Sequence, residues 1–478
     1  MPVVSYCSYR SQDLSSAYAF IDRWLGHAKA SHQPQLVSLS FDIAPVDPLA
    51  VLARLADRRD RHLYMENSRA GESVVGFGTT LFYQTDGARR FAHVRRFIDQ
   101  WRSKTRRYSE AGGTAALGGA DWARFFCAFT FFPEGAGGDG AFRAATVILP
   151  QWQLVQYGAR GVLTLNHLVT STTNVGALVD SLAEQLQAVE RLGQQPWGEP
   201  LGRLAPPAQP APEAGQRFKA AVSRALGHMT RHSVQKIVLA HALDWVSIEP
   251  FQPLASLGRL RQRYPDCHVF SLSHGDNKTF MGASPERLLR LAQGRLVTDA
   301  LAGSAPRGAT PQEDDRLTQG LLHNPKERGE HCLVVEFLAR QLQEVGLRPQ
   351  YQQPPGILRL SNIQHLHTPM WATVPRQIHP LHIVEALHPT PAVAGVPTRE
   401  ACDQILRFED FERGLYAAPL GWVGANGDSE FIVGIRSALI ADTRARLYSG
   451  AGIVAGSDPD REWAEIKLKF RALGESLV

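Results

Sequence analysis

Ser449-Gly-Ala-Gly-Ile-Val-Ala-Gly-Ser-Asp-Pro-Asp-Arg-Glu-Trp-Ala-Glu465 runs from a small-residue strand through a turn into an acidic helix. Gly450 and Gly452 carry no β-carbon, so a ligand oxygen can approach their N–H groups closely. Glu462 and Glu465 stand three apart, which puts both carboxylates on one helix face. Such a layout suits an anionic ligand beside a hard cation, and oxygen-only donors favour Mg²⁺ over zinc. The competing reading is a solvated helix face, so the rest of the chain has to decide.

Working outward, the 478 residues are 44% hydrophobic and 20% charged, ample for one large core or two smaller ones. The balance of 51 basic against 46 acidic residues gives a net charge of +5. That near-neutral balance reads as surface composition, so no nucleic-acid partner is expected and a small anionic substrate is mildly favoured. Cys7, Cys127, Cys267, Cys332 and Cys402 are odd in number, scattered and free of CxxC pairs. Neither a zinc site nor a disulfide framework is implied, and a reducing compartment fits. No basic start followed by an apolar core, and no long uncharged apolar run, is present, so a cytoplasmic protein without a membrane partner is expected.

The clearest seam is 193–215, with six prolines between Pro196 and Pro212. Proline removes backbone donors, so an extended surface connection is predicted there. It divides the chain into 1–192, which reads as a separate structural layer, and 216–478. Before the seam, Leu178, Leu182, Leu186 and Val189 recur at helical spacing up to Gly193; after it, Phe218, Val222, Leu226 and Met229 do the same. Runs such as Val37–Asp42, Val74–Gly78, Phe125–Phe132 and Ala145–Leu149 predict strands of a large mixed sheet with helices outside. Gly71 and the Gly76–Gly78 pair read as hairpin turns rather than a phosphate loop, since no Gly-Lys-Ser/Thr follows.

Gln235-Lys-Ile-Val-Leu-Ala-His241 predicts a strand with Lys236, Val238 and Ala240 on one face. A lysine on a mostly buried strand either snorkels at its end or is functional. Glu286 sits in a Ser-Pro-Glu turn, and Glu327 and Glu330 stand three apart at a helix start, where acids also favour the macrodipole by roughly 0.3–1 kcal/mol. Two such E-x-x-E pairs can supply the few carboxylates Mg²⁺ accepts.

Seven ordered segments carry a resemblance: Lys236-Ile-Val-Leu-Ala, Gly282-Ala-Ser-Pro-Glu-Arg-Leu, Leu301-Ala-Gly-Ser-Ala-Pro-Arg-Gly, Lys326-Glu-Arg-Gly-Glu-His, Gln364-His-Leu-His-Thr, His388-Pro-Thr-Pro-Ala-Val, and Gly450-Ala-Gly-Ile-Val with Glu462-Trp-Ala-Glu. In this order they resemble the chorismate-binding enzymes, which include isochorismate, salicylate, anthranilate and aminodeoxychorismate synthases. Residues 1–192 look like the variable half of that fold, with Leu63-Tyr-Met-Glu-Asn at its expected place. The resemblance implies an α+β fold of large antiparallel sheets sandwiched and wrapped by helices.

Within that family, amine-transferring anthranilate synthases typically have glutamine at the position of Lys236, and aminodeoxychorismate synthases place a nucleophilic lysine at that of Ala302. Lys236 with Ala302 therefore implies water as the nucleophile and no amidotransferase subunit. The expected activity is Mg²⁺-dependent isochorismate synthesis, an isomerisation of chorismate, by a monomer. Salicylate synthesis, with pyruvate elimination, stays open as the alternative, and of the two pathways the long N-terminal third favours quinone over siderophore synthesis.

Moving a hydroxyl from C4 to C2 needs a base for water and an acid for the leaving group. Lys236 suits the base role if burial and a nearby cation lower its pKa, and Glu286 the acid role if an apolar turn raises its own towards 6–7. The resemblance assigns metal ligation to Glu330 and Glu465, with Glu327 and Glu462 helping directly or through water. It assigns substrate contacts to Gly303, Ser304, His365, Thr390, Tyr416, Arg436, Gly450, Ala451, Gly452 and Lys469. Departures from the pattern are His241 for arginine, Ser304 for threonine, and Ala394 and Ala418 for glycines.

Overall fold

The computed structural model describes residues 14–57, 60–109, 122–134, 142–193, 212–360 and 363–477. Two large sheets form the frame. In the twelve-stranded sheet the order runs from strands Lys236–Val246 and Arg444–Val454 near one edge, through Ser437–Ala441, Lys278–Ser284 and His268–Ser273, to strands of the N-terminal third. The ten-stranded sheet likewise passes from Ile363–Thr373 and Arg295–Pro306 through Pro419–Gly424 to Arg124–Phe129 and beyond. The pairs are antiparallel, except that Gln35–Ile43 runs parallel to Arg106–Ser109.

Residues 14–193 are therefore no separate layer. They complete both sheets, joining the C-terminal strands at Val269 opposite Glu66 and at Leu420 opposite Ala128. Pairing of backbone groups across the seam makes one hydrogen-bonded unit of each sheet, which helical spacing along the chain could not disclose.

The sheets pack face to face, and one glycine shows how closely. A β-carbon on Gly76, in strand Glu72–Phe77, would lie 2.1 Å from the Phe126 ring of the opposite sheet. Gly76 is thus a packing position rather than part of a hairpin turn. Gly78, at φ +67°, opens the crossing to strand Leu81–Thr85, which belongs to the other sheet, whereas Gly71, at φ +66°, does sit between the paired strands His62–Asn67 and Glu72–Phe77.

Helices cover the outer faces. Leu178, Leu182, Leu186 and Val189 are buried on helix Val175–Gly193, and Phe218 and Val222 on helix Pro212–Met229, with Leu226 and Met229 half-buried. The latter helix begins inside the predicted linker, at Pro212; the prolines from 196 to 210 lie outside the described residues. Helix Arg90–Arg102 also belongs to a basic run with interleaved aromatics, Arg89 to Arg107, that the overall charge balance conceals. Its Phe91 stacks on Phe129 at 4.1 Å between ring centroids, so these aromatics serve the core. Among the described residues no helix is long and apolar enough to cross a membrane.

Candidate active site

Two helix starts and one strand edge build the site. Helix Pro325–Glu344 is capped by Asn324, whose side chain accepts from the N–H groups of Lys326 and Glu327, and helix Pro459–Gly474 by Asp458, which accepts from Arg461. Each has proline at its first position, where the missing N–H costs nothing. These caps set Glu327 and Glu462 in the first turns, next to the positive end of the helix dipole, and Glu330 and Glu465 about one turn further along the same faces.

The edge is made by pairing of Lys236–Val246 with Arg444–Val454. Val238 and Ala240 direct their N–H groups away from that partner, to Ala394 O at 2.7 Å and Glu409 Oε1 at 2.8 Å. Val238 lies opposite Gly452 and Ala240 opposite Gly450. Both are therefore non-hydrogen-bonded pairs, and the two glycines turn their own N–H and C=O groups to the other edge. Strand Ser437–Ala441 covers that edge only as far as Tyr448, and beyond it Gly450 O accepts from Lys469 Nζ at 2.9 Å.

The open edge borders a cavity of about 180 Å³. Lys236, Glu286, Gly303, Ser304, Glu330, His365, Tyr416, Arg436, Gly450, Gly452, Glu465 and Lys469 line it, together with apolar Val238, Leu301, Ala302, Ile363 and Val393. Thus residues spread over more than 230 positions converge. Ala451 does not reach the cavity, because alternation along the strand turns it from the face shared by Gly450 and Gly452, and it is buried opposite Leu239. Thr390 stands behind the wall instead of in it, its hydroxyl 3.5 Å from Glu286 Oε1. Glu327 and Glu462 also lie off the lining. Tyr448, Ala392, Ala417 and Ile435 were not anticipated as wall residues; their contribution depends on where neighbouring elements cross.

Lys236 does not snorkel. It is 2% exposed, and its ammonium donates to Glu330 Oε1 at 2.6 Å. Gly452 makes room for this pair, since a β-carbon there would lie 3.0 Å from Lys236 Cε. Gly450 does the same for Tyr416, whose hydroxyl would stand 2.8 Å from an added β-carbon. So the glycines admit the protein's own side chains as well as leaving the strand edge open.

Glu286 is held by its turn: its N–H donates to Ser284 Oγ at 3.2 Å and its carbonyl accepts from Val433. Burial pushes its carboxyl up to about 7, against the lowering effect of nearby Lys236 and the Thr390 hydroxyl. His365 is pushed down to about 3 by burial, with Arg436 and Lys469 adding to the effect, so it is neutral at ordinary pH. Its Nε2 is buried with no hydrogen-bond partner among the described residues. Such an orphan beside a cavity invites a polar ligand. Arg436, in the left-handed region at φ +49°, brings a guanidinium that makes no ion pair among the described residues. Tyr416 stacks on Tyr448 at 5.3 Å, forming an aromatic wall.

The four glutamates form one electrostatic group. Burial raises Glu327 and Glu462, and so do neighbouring charges: Glu330 and Glu465 on Glu327, Glu465 on Glu462. As placed, each is turned to a protein partner: Glu330 to Lys236, Glu465 to Lys469 at 2.7 Å, Glu327 to the Ser304 N–H at 3.0 Å, and Glu462 to Ser457. Among the described residues no group of three His, Cys, Asp or Glu side chains is placed as a metal site. The all-oxygen donor set with its mutual repulsion nonetheless has the chemistry of a hard divalent cation's surroundings.

Comparison with known proteins adds to this geometry. The family model described as "Chorismate binding enzyme" matches residues 20–478. The chain is 36% identical over 473 residues to the salicylate biosynthesis isochorismate synthase of Pseudomonas aeruginosa, covering 98% of this chain and 95% of that protein. It is 28% identical over 458 residues to isochorismate synthase MenF of Bacillus subtilis, covering 95% and 96%. Among solved structures, the menaquinone-specific isochorismate synthase MenF of Escherichia coli superposes with a TM-score of 0.74 at 25% identity, over 96% of this chain and all of that one.

Proposed function

The chain belongs to the chorismate-binding enzymes, and from that premise we propose that it is an isochorismate synthase, an isomerase moving the chorismate C4 hydroxyl function to C2. What carries the reading is one juxtaposition: Lys236 and a Glu286 carboxyl lifted to about 7 line one cavity. One water enters and one leaves. Lys236 first releases its ammonium proton to solvent; water then attacks C2 and gives up a proton to the neutral amine, the ring double bonds shift, and the C4–O bond breaks as Glu286 protonates the departing oxygen. Arg436 receives the enolpyruvyl carboxylate, with Tyr416 beside it. Neutral His365 offers its free Nε2 to a ring hydroxyl.

Magnesium is proposed as the cofactor, held by Glu330 and Glu465 with Glu327 and Glu462 in support. When bound it would supply positive charge for the ring carboxylate and draw Glu330 from Lys236. The repulsion among these four carboxylates supports this assignment.

Incubation with chorismate and magnesium chloride, followed by chromatography of the products, tests the reading. Isochorismate without pyruvate is expected. Stoichiometric pyruvate and salicylate would instead establish the salicylate synthase alternative. Pathway does not follow from the long N-terminal third, because relatives named for salicylate biosynthesis and for menaquinone both match over nearly their whole length.

A further inference from the structure

We infer that Glu409 and Arg413, neither of which touches the cavity, form a positioning pair that holds the Lys236 strand in register with the loop supporting Glu286; the inference rests on the isochorismate synthase reading. The two side chains are 3% and 1% exposed and paired at 2.5 Å. Burial of an ion pair is by itself weak support for stability, since apolar replacement is often neutral. Its directional bonds are what matter here.

Strand Gly395–Val396 pairs only with Lys236 and Ile237. Beyond Ile237 one backbone bond remains, from Val238 N–H to Ala394 O at 2.7 Å, and side chains complete the rest of the edge there. Arg413 Nη2 donates to Val238 O at 2.8 Å, and Glu409 Oε1 accepts from Ala240 N at 2.8 Å. The ion pair thereby continues the hydrogen bonding of the edge where the neighbouring strand stops.

Arg413 also grips the facing loop. Its Nη1 donates to Val393 O at 2.8 Å, and Val393 and Ala394 donate their N–H groups to Thr390 O. Thr390 in turn reaches Glu286. The guanidinium lies 4.4 Å from the Phe131 ring centroid, and the Arg413 carbonyl accepts from the Tyr416 N–H. The Arg413 side chain therefore ties the base strand to the loop behind the acid, while its backbone carbonyl holds the start of the aromatic wall. Of the atoms Arg413 fixes, Val238, Val393 and Tyr416 belong to cavity-lining residues.

The test compares Arg413→Met, Arg413→Lys and Glu409→Gln in the full chain, with kcat and KM for chorismate measured per folded molecule, the folded fraction being read by circular dichroism. A misplacement near 1 Å can lower turnover by about 100-fold. Arg413→Met should show a loss of that order in kcat with KM little changed, and Arg413→Lys and Glu409→Gln, which retain the cation or the acceptor for Ala240, should recover part of it. If Arg413→Met does not fold, the same kcat-only loss in Glu409→Gln, smaller in size, carries the inference. Wild-type kcat per folded molecule in every variant that folds, or a loss confined to KM, overturns it while leaving the isochorismate reading intact. Wild-type protein that makes no isochorismate overturns both.

Discussion

Lys236 Nζ and Glu330 Oε1 stand 2.6 Å apart, the lysine side chain 2% exposed and the glutamate 18%, joining the start of strand Lys236–Val246 to helix Pro325–Glu344. A buried cation of this kind is stable only with its partner, and the partner here is also a member of the glutamate group. Proposed base and proposed metal ligand are thus one coupled unit.

Lys236→Ala should lower kcat by about 10²- to 10⁴-fold, the range for loss of a general base. Initial rates of isochorismate formation check this, and unchanged turnover would remove Lys236 from the base role. Binding of chorismate should survive, because Arg436 and Tyr416 remain.

Glu286 supplies a pH signature. In the proposed mechanism the acid form is the working form, and its carboxyl is raised to about 7, so kcat/KM should fall as pH rises through that value. Glu286→Gln should lose both the limb and most of the rate. Thr390→Val removes a bond that lowers the pKa, so its limb should move to higher pH. A raised folded-state pKa also means stability that is complete at low pH and lost on rising from the ordinary carboxyl range to about 7. Glu286→Gln should therefore flatten the dependence of melting temperature on pH across this window, as a thermal melt series will show.

Magnesium should raise the wild-type melting temperature, since a ligand bound to the folded state alone stabilises it. The rise should vanish in Glu465→Gln and survive, reduced, in Glu462→Gln. Calorimetric titration with magnesium chloride provides a readout independent of turnover; equal affinity in wild type and Glu465→Gln would reject the assignment.

Two glycines separate packing from chemistry. Gly76→Ala forces a methyl group into the Phe126 ring and should destabilise the fold by about 1–3 kcal/mol in denaturant titration. Gly452→Ala crowds Lys236 Cε at 3.0 Å and should lower kcat while changing stability less. Equal effects of both on kcat per folded molecule would contradict this division.

Much of the site was legible because its residues sit at local signals. Asn324-Pro325 and Asp458-Pro459 announce the helix starts that place the E-x-x-E pairs, and an isolated lysine in an apolar strand marks Lys236. Ala451 and Thr390 stand off the cavity wall for a common reason: membership of a motif says which segment is near, whereas strand alternation and loop path say which side chain faces in. Glu409 and Arg413 escaped because a charged pair four apart usually reads as helix surface, and nothing local reveals that they lie at 3% and 1% exposure.

By itself the sequence determined element types, helix starts and the inventory of acids and bases, because capping, periodicity and proline chemistry act over a few residues. Only the tertiary structure decided that the N-terminal third shares both sheets, that Gly450 and Gly452 face an uncovered edge, and that Lys236 meets Glu330. Those outcomes depend on register and on pairing between segments far apart in the chain, where a shift of one residue would turn every side chain to the opposite face.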